Sequence, residues 1–450
     1  MFAYNQIGCE NCIKGVVSMK TVFFHIDVNS AFLSWTAAYR LQHGETLDLR
    51  TIPSVIGGNE KTRHGIVLAK SIPEKKFGIK TGESLMEVRQ KSGDRVMIVP
   101  PDYRVYSMAS KAFINILKKY SPVVEKFSID EAFVDYTGME KLLGDPVECA
   151  CRIKDEIKDT LGFTVNVGIS TNKLLAKMAS EFQKPDKAHT LWPCEIEKKM
   201  WSLPISELYM VGRKMSIHLR RKGIYTIGDL ASMPVKLLED SFNSFGNLLW
   251  RFANGDYYEE GTGGSAFFQG MMTHNDKHKI KGIGNSGTMP IDVTELAVAH
   301  QALLSISETV GYRLRKHGFS SKNIHVGFTT SEFERCGKQH KFGSYTNITS
   351  EIYIRACQLF DELWDGNKRI RQLGVRASDL VESNDIQGNF FSPIEEQIKN
   401  QKVDFVIDNI REKYGNHMIL RGRLYNGVID PMIGGTWGTG SWRPKGGMPG

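Results

Sequence analysis

The sequence predicts an α+β protein of several domains, and three observations carry that expectation. At 450 residues the chain exceeds what one hydrophobic core ordinarily organises, so two to four domains are expected. Short β-branched and aromatic runs alternate with helix-patterned stretches over roughly the first 185 residues, and again from about 280 to 380. Residues 190 to 260 between them read as helices broken by glycine.

Taken in order, "KTVFFHIDV" (20–28) is a buried strand by its run of apolar residues. The stretch after it, "NSAFLSWTAAYRLQHG", has helical character; Asn29 or Ser30 is placed to cap it and Gly44 to end it. "SPVVEKFSIDEAFVDYTG" (121–138) gives two β-like runs, followed by a helix at "PVECACRIKDEIKDTLG". "FTVNVGIS" is a further strand, and "TNKLLAKMASEFQKP" a helix stopped before Pro185. Residues 45 to 97 look inserted into this first unit. After a glycine-rich link, "EEGTGGSAF", a second α/β unit reads as strand, long helix (294–317), two strands around "KNIHVGFTT" and "KQHKFGSY", helix (349–364) and strand "RQLGVRASDL". Residues 1 to 19 lack periodicity and are expected to be a poorly ordered leader. The end, "GGTWGTGSWRPKGGMPG", reads as a disordered glycine-rich tail.

Composition narrows the functional classes. With 41% hydrophobic and 24% charged residues the chain is globular rather than disordered. A formal charge of +8 leans towards a polyanionic partner, although many basic proteins never touch nucleic acid. Seven scattered cysteines do not make a disulfide framework, and the tight pair Cys9 and Cys12 has no second pair at zinc spacing. No apolar run is long enough to span a membrane, so a cytoplasmic protein with no membrane partner is expected.

The unusual feature is a pair of adjacent acids, Asp130 and Glu131, inside an apolar β-patterned run. Neighbours on a regular strand point to opposite faces, so the two can share a ligand only at a bend or hairpin tip. The runs "VVEKFSI" and "AFVDY" on either side suit such a tip. Asp27 ends the upstream strand, and three carboxylates converge if the two strands are neighbours. Such a cluster repels itself unless cations intervene, and oxygen ligands with room for phosphate suit Mg²⁺. Two ions about 4 Å apart form a phosphoryl-transfer arrangement. The plainer alternative is that each acid pairs with a nearby lysine or arginine. Lys173 and Lys177, four apart near a helix start, form either a phosphate site or a solvated basic face.

"HIDVNSAF", "IPEKKFGIKTG", "SIDEAFVDYTG" and "VGISTNKLLAKMASEFQKP", in this order, resemble the Y-family of translesion DNA polymerases, of the bacterial polymerase IV and V kind. The resemblance runs from about residue 20 to 425. It implies a right-hand polymerase: an α+β palm (20–31 and 98–189), small fingers (32–97) and a helical thumb with a helix–hairpin–helix (190–262). A linker (263–279) and a βαββαβ-like little finger (280–382) follow, then a C-terminal extension (383–450). It implies template-directed addition of dNTPs to a primer 3′-OH, at low fidelity, without proofreading, in DNA damage bypass, by a monomer bound to primer–template DNA. Carried over by position, Asp27, Asp130, Glu131 and the Val28 carbonyl look like ligands of two Mg²⁺ ions. Phe32 looks like the steric gate against a ribose 2′-OH, and Lys177, assisted by Lys173, looks like the triphosphate-holding lysine.

The chain departs from the family pattern at several points. Asn29 stands where many members have Asp. Ile72 and Lys75 stand where a Tyr and an Arg usually clamp the triphosphate, and lysine offers charge without the bidentate fork. Thr36 replaces a Glu. Gly212, with Arg213 and Lys214, would let thumb backbone N–H groups approach a phosphate. In the little finger Arg313, Arg315, Lys316, Lys322, Lys338, Lys341, Arg369, Arg371 and Arg376 supply positive charge, and binding should be non-specific and salt-sensitive. "QGNFF", with Gln387, Phe390 and Phe391, is either a degenerate sliding-clamp peptide or a plain linker. Two other classes compete with the polymerase: a nucleotide cyclase, which needs no DNA grip, and a DNA-binding protein with a decayed site.

Overall fold

Six residues, Phe23–Val28, form strand β1, and all but the first are buried. In the computed structural model, which describes residues 21–58, 65–256, 280–383, 394–415, 418–425, 432–433 and 436–437, β1 is the middle of a five-stranded sheet. The expected leader (1–19), the Cys9–Cys12 pair, the linker (263–279) and the peptide with Gln387, Phe390 and Phe391 lie outside the described residues. The chain divides into two compact units, one carrying the described residues up to 256 apart from Gly65 and the other Gly65 with those from 280 onward.

In the first unit β1 is followed by α1 (Ala31–Gln42), whose Trp35 faces the sheet core while Leu33 and Ala37 face a second core. The expected side-chain cap is absent. Ser30 occupies the cap position with φ of 47° and no capping hydrogen bond, and Asn29 is tied elsewhere. The inserted segment forms its own three-stranded sheet from β2 (Ser54–Gly57), β3 (Val67–Lys70) and β4 (Met97–Val99). Next come α2 (Tyr103–Leu117), β5 (Val124–Lys126), β6 (Glu131–Asp135), α3 (Pro146–Leu161), β7 (Val165–Ser170), α4 (Lys173–Ser180) and β8 (Ala188–Thr190). The sheet order is β5-β6-β1-β7-β8, with β1 antiparallel to both neighbours.

Strand alternation divides the sheet into two faces. Phe24, Ile26, Val28, Ala132, Val134, Val165, Val167 and Ile169 share the apolar core with residues of α2 and α3. His25, Asp27, Glu131, Phe133, Asn166 and Gly168 take the other face. There α4 lies on β7 and β1, so closely that a Cβ on Gly168 would stand 1.9 Å from the Ala176 carbonyl oxygen and 2.4 Å from the Ser180 nitrogen. Only glycine lets the helix approach this far. The far side of α4, through Leu174, Leu175 and Met178, joins a helical core that extends to Phe252 and includes Leu219 of α5 (Arg213–Arg221).

The second unit is a four-stranded antiparallel sheet with two helices on one face. Its order is β11-β10-β12-β9, from β9 (Gly282–Val293), β10 (Phe319–Thr330), β11 (Arg335–Thr346) and β12 (Ile370–Glu382). The connections through α6 (Leu296–Lys316) and α7 (Thr349–Asp361) make it βαββαβ. Beyond it, where the sequence reading left an extension without elements, stands α8, a 21-residue helix (Ile394–Tyr414). The glycine-rich tail is not wholly irregular either, since Thr436–Trp437 pairs with Met432–Ile433. No helix among the described residues is long and apolar enough to cross a membrane.

Charge fastens α8 to α6. Asp404, 3% exposed, accepts from Arg315, Arg421 and the Thr349 backbone, Asp408 pairs with Arg315 at 2.7 Å, and Glu308 accepts from Arg411 and Arg421. Breaking a buried ionic group strands the remaining charges. Glu308→Ala is therefore expected to destabilise the second unit by about 3 kcal/mol. Glu412→Ala, at an exposed pair with Lys316 3.9 Å away, should change little. Urea unfolding of the two variants checks this; equal midpoints would contradict it.

Candidate functional site

Asp27 and Glu131 are direct partners across β1 and β6, on the face that α4 covers. Carboxylates placed directly opposite repel and destabilise the pair of strands unless positive charge is near. Two lysines supply it. Lys177 of α4 donates to Glu131 Oε2 at 2.7 Å, and Lys184 forms a close ion pair with Asp27 while bonding Glu181 at 2.9 Å.

Asp130 sits in the hairpin tip between β5 and β6 that the alternation argument requires. Ser128 builds that tip. Its hydroxyl accepts from the Asp130 and Glu131 N–H groups at 3.2 and 3.0 Å and donates to Asp130 Oδ1 at 2.6 Å. The Val28 N–H donates to the Asp130 carbonyl at 3.1 Å, clamping the tip to the end of β1. All three acids and Val28 thus meet at one edge of the sheet. Among the described residues, however, no three His, Cys, Asp or Glu side chains stand at metal-holding distances.

The two opposed carboxyls are driven apart in acidity. Burial pushes Asp27 up to about 6, with Lys184 opposing and the charges of Glu181 and Glu131 adding. Burial also works to raise Glu131, but the adjoining His25 ring and the Lys177 ammonium outweigh it and hold the group near 2. His25 itself is driven down to about 4, chiefly by burial, and is neutral at physiological pH. Asp27 alone remains short of positive charge with its lysine alongside, and a carboxylate in that state fits a hard divalent cation such as Mg²⁺.

The Asp27 shift has a measurable consequence. Because the folded-state value of about 6 lies above the usual 3.8, the stability Asp27 contributes is complete below 3.8 and is lost as pH rises through about 6. Without divalent ions, Asp27→Asn should match the unaltered protein near pH ~4 and exceed it by roughly 1–3 kcal/mol near pH ~7. Thermal melting at both pH values tests this. A variant less stable near pH ~7 would mean that the Lys184 pair outweighs burial.

The remaining expected residues divide into those that gather here and those that do not. Lys173 forms a close ion pair with Glu125 on the neighbouring hairpin, and its ammonium lies 5.7 Å from the Phe133 ring. Phe32, half-buried at the start of α1, stacks on Tyr106 at 4.6 Å and 28°, with Trp35 and Tyr103 edge-on at 6.1 and 6.4 Å. Thr36 donates to the Phe32 carbonyl at 2.7 Å, so a residue with no sequence-level explanation supports the turn that carries the ring. Asn29 binds Thr164, Asn166 and the Asp186 backbone, stitching β1 to the chain on either side. Lys75 and Ile72 are exposed on a one-turn helix, Ile72–Lys75, and Lys75 makes no ion pair with the carboxylates. Sequence reasoning missed Ser128, Lys184 and His25. His25, two before Asp27 on the same strand face, was open to the alternation argument; Lys184 was not, because only the turn after α4 brings it back.

Elsewhere, Gly212 caps α5 with its backbone open, no side-chain cap, and exposed Arg213 and Lys214 in the first turn. A 3-10 turn, Ile205–Glu207, precedes it. In the second unit the sheet face away from the helices carries a trench of about 660 Å³. Its floor is a row of small residues in register, Gly337, Gly327, Gly374 and Ser286. Arg335 and Gln372 flank it on one side, His325 and Arg376 on the other. Lys322, on β10, lies over the Tyr345 ring. Several expected basic residues are engaged within the protein. Arg315 is held by Asp404 and Asp408, Lys338 by Glu362, and Lys341 by Asp379.

Comparison with known proteins identifies the family and the fold. The impB/mucB/samB family model matches residues 26–181, and the model of that family's C-terminal domain matches residues 280–390. A protein named DNA polymerase IV from Clostridium acetobutylicum is 44% identical over 410 residues, covering 90% of this chain and 98% of the relative. Its namesake from Acetivibrio thermocellus is 35% identical over 411 residues, covering 90% and 98%. A solved Y-family DNA polymerase chimera superposes with a TM-score of 0.64 at 22% identity over 80% of this chain and 99% of its own, which shows the fold. The carboxylate edge lies within the segment matched by the first family model, and the chain belongs to the impB/mucB/samB family, the Y-family DNA polymerases.

Proposed function

We propose that the chain is a template-directed DNA polymerase of the translesion type, adding dNTPs to a primer 3′-OH without proofreading. The observation that carries this reading is the register pair Asp27–Glu131, with Asp130 in the adjoining tip and two lysines on the carboxylates. Two Mg²⁺ ions, when bound by Asp27, Asp130, Glu131 and the Val28 carbonyl, would supply activation of the attacking hydroxyl and stabilisation of the leaving pyrophosphate. Lys177 neutralises the incoming triphosphate with help from Lys173, and Lys184, so placed beside Asp27, becomes available to phosphate once a metal ion replaces it. Phe32, held by the Tyr106 stack, excludes a 2′-hydroxyl by overlap of atoms. Lys75 offers the triphosphate charge without a fork.

In this reading the five-stranded sheet is the palm (20–31, 98–189), the inserted sheet the fingers (32–97), the helical region the thumb (190–262) and the βαββαβ unit the little finger (280–382). The first N–H groups of α5, those of Arg213 and Lys214, take a DNA phosphate beside Gly212, whose own N–H is held by the Met210 carbonyl. The glycine-floored trench admits duplex backbone between Arg335 and Arg376, with Lys322 adding charge, so affinity falls steeply with salt. The protein acts as a monomer in the cytoplasm on primer–template DNA. Gln387, Phe390 and Phe391 serve a sliding clamp if they serve any partner.

Primer extension with Mg²⁺ tests the reading. The expected result is nucleotide addition that requires template, dNTP and divalent ion. Absence of extension, or conversion of nucleoside triphosphate to a cyclic product without DNA, would contradict it.

A further inference from the structure

The Lys177 side chain is only 12% exposed, and its ammonium lies among groups from two parts of the chain. It donates to Glu131 Oε2 at 2.7 Å, stands over the Phe127 ring at 4.9 Å, and stands over the Tyr209 ring at 5.7 Å. Aromatic faces are negative and attract an ammonium, the more so where water is excluded. Phe127 belongs to the hairpin that carries the acids. Tyr209 comes from the helical region, just before α5.

The mounting of Tyr209 is firm. Its ring is half-buried, stacks on the buried Phe252 ring at 6.2 Å and 25°, and packs against the helical core. The Leu208 carbonyl accepts from the Val211 N–H at 2.9 Å, closing a tight turn in which Met210 takes a φ of 73°. Residues other than glycine seldom occupy that left-handed region, which a type II turn demands at its third position. The turn fixes the direction in which the Tyr209 side chain leaves the backbone.

A lysine stem is flexible, so a single carboxylate leaves the ammonium free to swing about it. The ammonium has three hydrogens and can keep Glu131 while taking a phosphate oxygen. A ring face steadies such a group without accepting one of those hydrogens in a conventional bond. We propose that Tyr209 is a positioning residue for Lys177: its ring face, held from the helical region, keeps the ammonium beside Glu131 and ready for a triphosphate. The inference rests on the polymerase reading for the role of Lys177.

Nucleotide Kd on a chain-terminated primer, with kcat from an extendable one, tests it in the full chain. Tyr209→Phe keeps the ring face and should leave Kd within about twofold, whereas Tyr209→Leu removes it and should weaken binding about tenfold. Adding one, two and three fluorines to the Tyr209→Phe ring drains its negative face at nearly constant shape. Kd should then rise stepwise, to about fivefold at the third fluorine, with kcat within about twofold. In a Lys177→Met background the three fluorines should cost nothing further, because the group they act on is gone. A flat fluorine series, a loss confined to kcat, or an undiminished cost in that background overturns the proposal and leaves Tyr209 to packing. If Tyr209→Leu does not fold, the fluorine series, which retains the ring, decides. A failure of the polymerase reading shows separately, as absence of primer extension by the unaltered protein.

Discussion

Asp130→Ala is expected to lower single-nucleotide primer extension by at least about 10³-fold in kcat, the scale of losing a group that stabilises transition-state charge. The substitution is clean because the backbone roles of Asp130 survive it. Its carbonyl still accepts from Val28, and its N–H still reaches Ser128. What disappears is one half-exposed carboxylate whose only hydrogen-bonding partner in the tip is the Ser128 hydroxyl. Stability should therefore move by less than about 1 kcal/mol, and melting and extension on the same preparation separate folding from chemistry. Extension within tenfold of the unaltered protein would remove Asp130 from the site.

The second large effect concerns sugar choice. Phe32→Ala should raise ribonucleotide insertion relative to deoxyribonucleotide insertion by about two orders of magnitude, since a bulky ring rejects the extra hydroxyl by overlap and not by charge. The ring is held by a stack on Tyr106 and by edge contacts from Trp35 and Tyr103. Removing it also leaves a partial cavity beside Tyr106, so a stability loss of roughly 2 kcal/mol should accompany the change. Ratios of kcat/KM for the two sugars test this; unchanged discrimination would assign Phe32 to packing alone.

Much of this architecture was readable from the residues because apolar periodicity governs it. β1 is a run of apolar residues, the hairpin is symmetric about its acids, and the long helix over Leu296–Lys316 carries a continuous buried stripe. The tip followed from strand geometry, since adjacent carboxylates need a bend to serve one edge. α8 escaped because it is fastened by Asp404, Asp408 and Arg411 instead of an apolar face, so a hydrophobic pattern search finds nothing. The counter-charges escaped for a different reason. Lys184 reaches Asp27 only after the chain turns at the end of α4, a return that no spacing rule encodes. Within the site, residue types announced the acids, while partners set by tertiary contact did not.

The central claim is that the edge shared by Asp27, Asp130 and Glu131 is a divalent-cation site for phosphoryl transfer. Electron paramagnetic resonance with Mn²⁺, in the presence of primer–template and a non-reacting nucleotide, counts the bound ions directly. The account predicts about two ions on the unaltered protein and loss of both in the Asp27→Ala, Glu131→Ala double variant. An unchanged count in that variant would contradict it.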